Sequence, residues 1–258
     1  EAGDALAHGV AVADRVVDDA GHARGQRLQH RQGHAFPARG LHIDRGLLQP
    51  LAHLRRLDPA GDFDAAGAQA GFARGVAGPY CGRLLADLGA TVIKFEPPGG
   101  DPLRLAAPLA GGESAFFNYL NAGKLSFVAP AVAAVPPEAL KRADIVVHDL
   151  LGIEAERLER MATAANSAAV VVSLSPYGRS GEKSDWQATP FTEWATSGFF
   201  YFAGDPAREP LSLPGHQAEF HAGLHAGVAA MAGLRHARET GEGQRIEISH
   251  QEACLNDH

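Results

Sequence analysis

Two glycine-rich points and a few sets of ionisable side chains are where this sequence could do chemistry. Gly78-Pro79-Tyr80-Cys81-Gly82 stands at a helix start, where a Gly-Pro can leave backbone N–H groups facing an anion. Gly241-Glu242-Gly243-Gln244 reads as a helix stop and turn, with direct ligand contact as the alternative. Neither is a nucleotide fingerprint: no G-x-G-x-x-G opens a helix after a strand, and there is no G-x-x-x-x-G-K-[ST]. Asp185 and Glu193, in SDWQATPFTEWATSG, read as cap or surface carboxylates, with a covalent nucleophile as the alternative. His216, His221 and His225 form a local cluster whose last two members share a helix face; they read as surface or interface groups, with a general base as the alternative. Histidines 8, 22, 30, 34, 42 and 53 have irregular spacing and no accompanying thiol or carboxylate pattern, so no metal site is expected. Cys81 and Cys254 make no C-x-x-C and read as unreactive thiols in a reducing compartment.

The elements that must position these groups begin at residue 76. Positions 81, 84, 85 and 88 carry an apolar stripe, which predicts a helix over Cys81–Leu88 closed by Gly89. Thr91–Phe95 is a β-branched apolar run fit for a buried strand, stopped by Pro97-Pro98-Gly99-Gly100. ADIVVHDL (143–150) and AVVVSLSPYG (169–178) are continuous runs of the kind covered on both faces of a parallel sheet, and LGIEAERLERMATAA between them reads as a crossover helix. Residues 217–238 repeat small and apolar side chains at helical intervals, and QRIEIS after them is another short strand. Alternating helices and strands predict an α/β fold, in which ligands sit beyond the carboxyl ends of the strands.

Composition narrows the function classes. The chain has 258 residues, 45% of them hydrophobic, with 30 acidic against 23 basic side chains and a formal net charge of -7; general nucleic-acid binding is not expected. Charges interrupt the first twenty residues too often for a membrane helix or signal core, so a soluble cytoplasmic protein with no membrane partner is expected. Residues 1–74 hold six of the 13 histidines and no lysine, and read as an atypical or weakly structured leader in which only LLQPLAHLRRLD, near 48–58, looks ready to form an element.

An ordered series of segments carries a more specific signal. VAGPYCGRLLADLGATVIKFEPPGGDPLR, FFNYLNAGKLSFV, ADIVVHDL, VVVSLSPYGRSG, SGFFYFAGDP and TGEGQRIEISHQEACLN together resemble the family III CoA-transferases, across roughly residues 76–256. That group includes crotonobetainyl-CoA:carnitine transferase, formyl-CoA transferase and α-methylacyl-CoA racemase. The resemblance implies a Rossmann-like parallel sheet with flanking helices, a large domain over 75–256 with a small domain starting near its carboxyl-terminal end, and an intertwined homodimer. Members are generally longer than this chain, so a truncated or divergent member is expected. The glycine- and alanine-rich stretch between LRRLD and VAGPY departs from the family pattern and suggests an insertion or frame disturbance before residue 76.

The same resemblance implies a chemistry. Coenzyme A and acyl-CoA enter as substrates, with no tightly bound cofactor, and CoA moves between an acyl-CoA and an organic acid. The matching CoA contacts are Val76, Ala77, Gly78, Lys94, Asp101, Arg104, Asn121 and Lys124; Arg104 and Lys124 are cations able to pair with nucleotide phosphates. The arginine that the family often places at Pro97 is absent. The family's aspartate attacks the thioester to give an anhydride and then an enzyme-CoA thioester. Its place, eight residues before Gly198, is Pro190 here, which has neither a nucleophilic oxygen nor a titratable proton. The catalytic residue is therefore unassigned, and a noncatalytic CoA-binding or partner subunit stands as the alternative to a transferase.

Overall fold

The computed structural model describes residues 11–17, 23–30 and 68–255. Ala11–Val17 (β1) and Ala23–His30 (β2) pair as an antiparallel ribbon. The segment 48–58 lies outside the described residues. From Ala68 onward one sheet organises the chain. Its strands are β3 (Ala68–Phe72), β4 (Thr91–Glu96), β7 (Leu125–Val128), β8 (Ala143–His148), β9 (Val170–Ser175) and β10 (Arg245–Ser249), and every pairing is parallel. Leu109–Ala110 (β5) and Glu113–Ser114 (β6) make a separate small ribbon.

The spatial order is β10-β9-β8-β3-β4-β7. The chain starts at the centre, runs outward through β4 and β7, then returns beside β3 and runs the other way. This is the doubly wound α/β order, and its direction reverses between β3 and β8, where such sheets open a crevice at the strands' carboxyl ends.

The described α-helices are α1 (Ala77–Asp87), α2 (Ala115–Asn121), α3 (Pro137–Arg142), α4 (Gly152–Ala165), α5 (Pro190–Ser197), α6 (Phe199–Phe202), α7 (Gln217–Thr240) and α8 (His250–Leu255). Side chains alternate between the two faces of each strand, so the continuous apolar runs feed two cores. On one face Leu140, Leu158 and Ala162 cover Phe72, Phe95, Val146 and Val171. On the other, Cys81, Leu85, Ala222, Ala226 and Ala230 cover Ile145, Val147, Val170 and Val172. The small residues of α7 have a steric cause: a Cβ on Gly223 would lie 2.5 Å from the Ala77 carbonyl oxygen, so α7 meets α1 at backbone distance.

The predicted helix and strands near residues 81, 91, 143, 170, 217 and 245 are all present. Some bounds shift: α1 starts at Ala77 rather than Cys81, and β9 ends at Ser175 because Pro176 begins a turn. Residues 68–72, expected within the leader, form β3, a strand hydrogen-bonded on both sides.

Candidate functional site

At the reversal point the exits of β3 and β8 lie side by side. Asp149, just past β8, accepts hydrogen bonds through Oδ2 from the backbone N–H groups of Arg74 (2.8 Å) and Gly75 (3.2 Å), which lead into α1. The amides in front of the GPYCG turn thus already face an anion, and it is the protein's own carboxylate. Val76, Ala77 and Gly78 are buried. Gly78 must be glycine, since a Cβ there would lie 2.1 Å from that of Ala73.

Lys94, Asp101 and Arg104 lie in and just past β4, whereas Asn121 and Lys124 lie against the first turn of α1. Most of their polar atoms point inward, however. Lys94 is 3% exposed; its Nζ donates to the Ala73 carbonyl (2.9 Å) and pairs with Asp101 Oδ2 (2.7 Å). Asp101 also caps the short turn Pro102–Leu105 by accepting from Leu103 N at 2.8 Å. Lys124 Nζ donates to the Pro79 carbonyl (2.6 Å) and to Asn121 Oδ1 (3.0 Å), tying β7's approach to the first turn of α1. Burial, reinforced by the nearby Lys94 charge, pushes the Lys124 amine well below its ordinary pKa. Burial likewise pushes the Cys81 thiol up to about 12, consistent with an unreactive sulfur.

Arg104 differs from the lysines, with its side chain 37% exposed. Its guanidinium grips Glu96 through two bonds of 2.8 Å and lies over the Phe117 ring, 4.2 Å from the centroid. Gly100, at φ +84°, makes room: a Cβ there would lie 2.8 Å from Arg104 Cδ. Glu96 is 2% exposed and also accepts from Ser126 Oγ (2.7 Å) and the Asp101 amide (3.0 Å). Burial alone would raise its pKa; the bonds from Arg104, Ser126 and Asp101 outweigh that and hold it at about 2.

A second region surrounds Pro190, the first residue of α5. Thr189 caps this helix through a reciprocal arrangement with Thr192, and Gly198 ends it at φ +89°. Asp185 is exposed, but Glu193 is 3% exposed, which corrects its reading as a cap or surface carboxylate. Its Oε1 meets His250 Nδ1 at 2.8 Å, while Oε2 has no hydrogen-bond partner. The three histidines of the cluster are engaged separately. His216 pairs with Glu219 and stacks on Phe116, His221 meets Trp194 edge-on, and His225 Nδ1 lies 3.1 Å from the His221 carbonyl.

Some groups escaped the sequence reading altogether. Asp149 looks in sequence like any polar strand exit. His148, Glu159, Arg179 and Arg245 come from four separate segments and meet over the α4 face of the sheet. Among the described residues no histidine, cysteine and carboxylate group could hold a metal ion, and no helix is long and apolar enough to cross a membrane.

Residues 70–256 match the profile of CoA-transferase family III. The chain belongs to that family. It is 32% identical over 196 residues to succinate–glutarate CoA-transferase of Agrobacterium fabrum, covering 69% of this chain and 48% of the relative. It is 33% identical over 197 residues to subunit BbsE of the succinyl-CoA:(R)-benzylsuccinate CoA-transferase of Thauera aromatica, covering 70% and 46%. A CaiB/BaiF family protein of Brucella suis superposes with a TM-score of 0.66 at 26% identity, covering 74% of this chain and 54% of that one. This family III chain therefore spans about half the length of the curated relatives it matches.

Proposed function

We propose that the chain recognises coenzyme A thioesters at the carboxyl ends of β3 and β4, within a protein that moves CoA between an acyl-CoA and an organic acid. The observation that carries this reading is the corner around Arg104. A cation oriented by a buried carboxylate and an aromatic ring, half open to solvent, stands just past the carboxyl end of β4 in a family III sheet. In this reading the backbone at Val76, Ala77 and Gly78 shapes the crevice wall and Arg104 contacts phosphate. Lys94, Asp101, Asn121 and Lys124 act from behind, holding that wall in place. CoA is a substrate in this reading, with no tightly held cofactor. A homodimer in the cytoplasm, and a small domain starting near α8, belong to the same proposal.

One observation favours a second reading, in which the chain is a noncatalytic CoA-binding or partner subunit. Transfer through an enzyme-bound thioester needs a carboxylate nucleophile, and the position expected to supply it is Pro190. The nearest buried carboxylate, Glu193, has one oxygen held by His250. Incubating the protein with a panel of acyl-CoA donors and carboxylate acceptors, followed by mass spectrometry of products and protein, separates the readings. Exchange with a covalent adduct supports the transferase. CoA binding by calorimetry without exchange supports the partner subunit, and neither binding nor exchange contradicts both.

A further inference from the structure

Glu193 and His250 face each other across the contact between α5 and α8, with 2.8 Å between Oε1 and Nδ1. Glu193 is 3% exposed, and its other carboxylate oxygen is buried without a hydrogen-bond partner. No lysine or arginine among the described residues pairs with it, so the imidazole alone answers this buried charge. A carboxylate sealed from water needs a donor, which puts the imidazole proton on Nδ1 and leaves Nε2 as an acceptor. His250 Nε2 makes no hydrogen bond among the described residues, and with the side chain 13% exposed it is not sealed from solvent.

Holding α5 against α8 does not depend on this pair. Gln251 Nε2 donates to the Thr196 carbonyl at 2.7 Å across the same contact, and Trp194 and Cys254 share one apolar cluster there. That frame presents the ring in a fixed orientation. A buried carboxylate on Nδ1, with the opposite nitrogen open to water, lets an imidazole take a proton and stabilises the cation as it forms.

The pair also stands where a thioester can reach it. His250 leaves the carboxyl end of β10, and every strand of the sheet is parallel, so it shares the edge on which Arg104 lies. Four strand spacings separate β10 from β4, about 19 Å. The extended pantetheine arm of CoA has comparable reach, so one ligand can set a phosphate at Arg104 and its thioester at His250.

We propose that Glu193 and His250 are an acid/base pair with which the chain hydrolyses acyl-CoA, an activity beyond CoA transfer that rests on the CoA recognition proposed above. His250 Nε2 takes a proton from a water molecule whose oxygen adds to the thioester carbonyl. The tetrahedral adduct collapses with cleavage of the C–S bond, the CoA thiolate leaves with the proton held on Nε2, and the carboxylic acid formed loses its own proton to solvent. Water is the nucleophile, so no side-chain oxygen is needed at Pro190. Glu193 is a positioning residue that fixes the tautomer and balances the imidazolium.

Incubating the full chain with acetyl-CoA, succinyl-CoA or benzoyl-CoA in isotopically labelled water, with no carboxylate acceptor, tests this. Thiol release is followed against a protein-free blank, the acid is weighed by mass spectrometry, and CoA affinity is measured by calorimetry. The wild type should release CoA above the blank from at least one donor, with one solvent oxygen in the acid. His250→Ala should lower kcat about a hundredfold or more while binding CoA as the wild type does. Glu193→Gln should lower kcat about tenfold or more with KM unchanged, because an amide can hold the wrong tautomer. CoA binding without hydrolysis, or a His250→Ala variant as active as the wild type, overturns the pair and leaves CoA recognition standing; no CoA binding contradicts both. If Glu193→Gln fails to fold, the wild type and His250→Ala decide the matter alone.

Discussion

Glu96 holds Arg104 in a two-bond fork, with both distances at 2.8 Å, the carboxylate buried and the guanidinium half open to solvent. This relationship turns a flexible cation into a fixed donor with free N–H groups still available. Replacing Arg104 by alanine should weaken CoA binding about tenfold or more, and Arg104→Lys should recover little, because a point charge cannot make the fork and lie on Phe117 together. Calorimetry on the two variants checks this.

The same pair makes stability pH-dependent. Glu96 has a folded-state pKa of about 2, below the ordinary value of 4.5, so its contribution is fully present above 4.5 and is lost as pH falls through 2. After allowance for water around the half-exposed Arg104, the contribution is on the order of 2 kcal/mol. Urea unfolding of wild type and Glu96→Gln should differ by about that amount near neutrality and converge in strong acid.

Lys124 should behave differently from Arg104. Its amine is spent on the Pro79 carbonyl and Asn121, so Lys124→Met should lower stability by about 1–3 kcal/mol, through unpaired buried acceptors. The folded fraction of this variant should bind CoA within about threefold of the wild type, a change of well under one bond. Parallel denaturation and calorimetry would show whether loss of stability and loss of affinity separate in this way.

Much of this fold was legible because its central strands are buried on both faces. Thr91–Glu96, Val170–Ser175 and their neighbours are rich in β-branched and apolar residues, and the glycines and alanines of α7 record its backbone contact with α1. Ala68–Phe72 was not legible. Its sequence, AQAGF, has little strand propensity and is a strand because β4 and β8 pair with it on either side. The family resemblance singles out Lys94, Asp101, Arg104, Asn121 and Lys124 as CoA contacts, a role that belongs to the proposal. Which way their charges point was not legible, since sequence shows a lysine's charge but not that Pro79 or Ala73 receives it. The burial of Glu193 was hidden for a similar reason, because His250 lies 57 residues away.

Asp149 should be a structural anion. Asp149→Ala removes the acceptor shared by two backbone amides and should destabilise the protein by about 1–3 kcal/mol. The Arg74 and Gly75 amides should lose protection from hydrogen exchange before the strands do, and mass spectrometry of a peptide spanning them checks the order.

In the proposed function, CoA is recognised through an Arg104 fixed by Glu96. Titrating CoA into the full chain, side by side with its folded Arg104→Ala variant, tests it most directly. Saturable binding to the wild type, weakened at least about tenfold in the variant, is expected. No binding to the folded wild type, or equal affinity in both proteins, would contradict it.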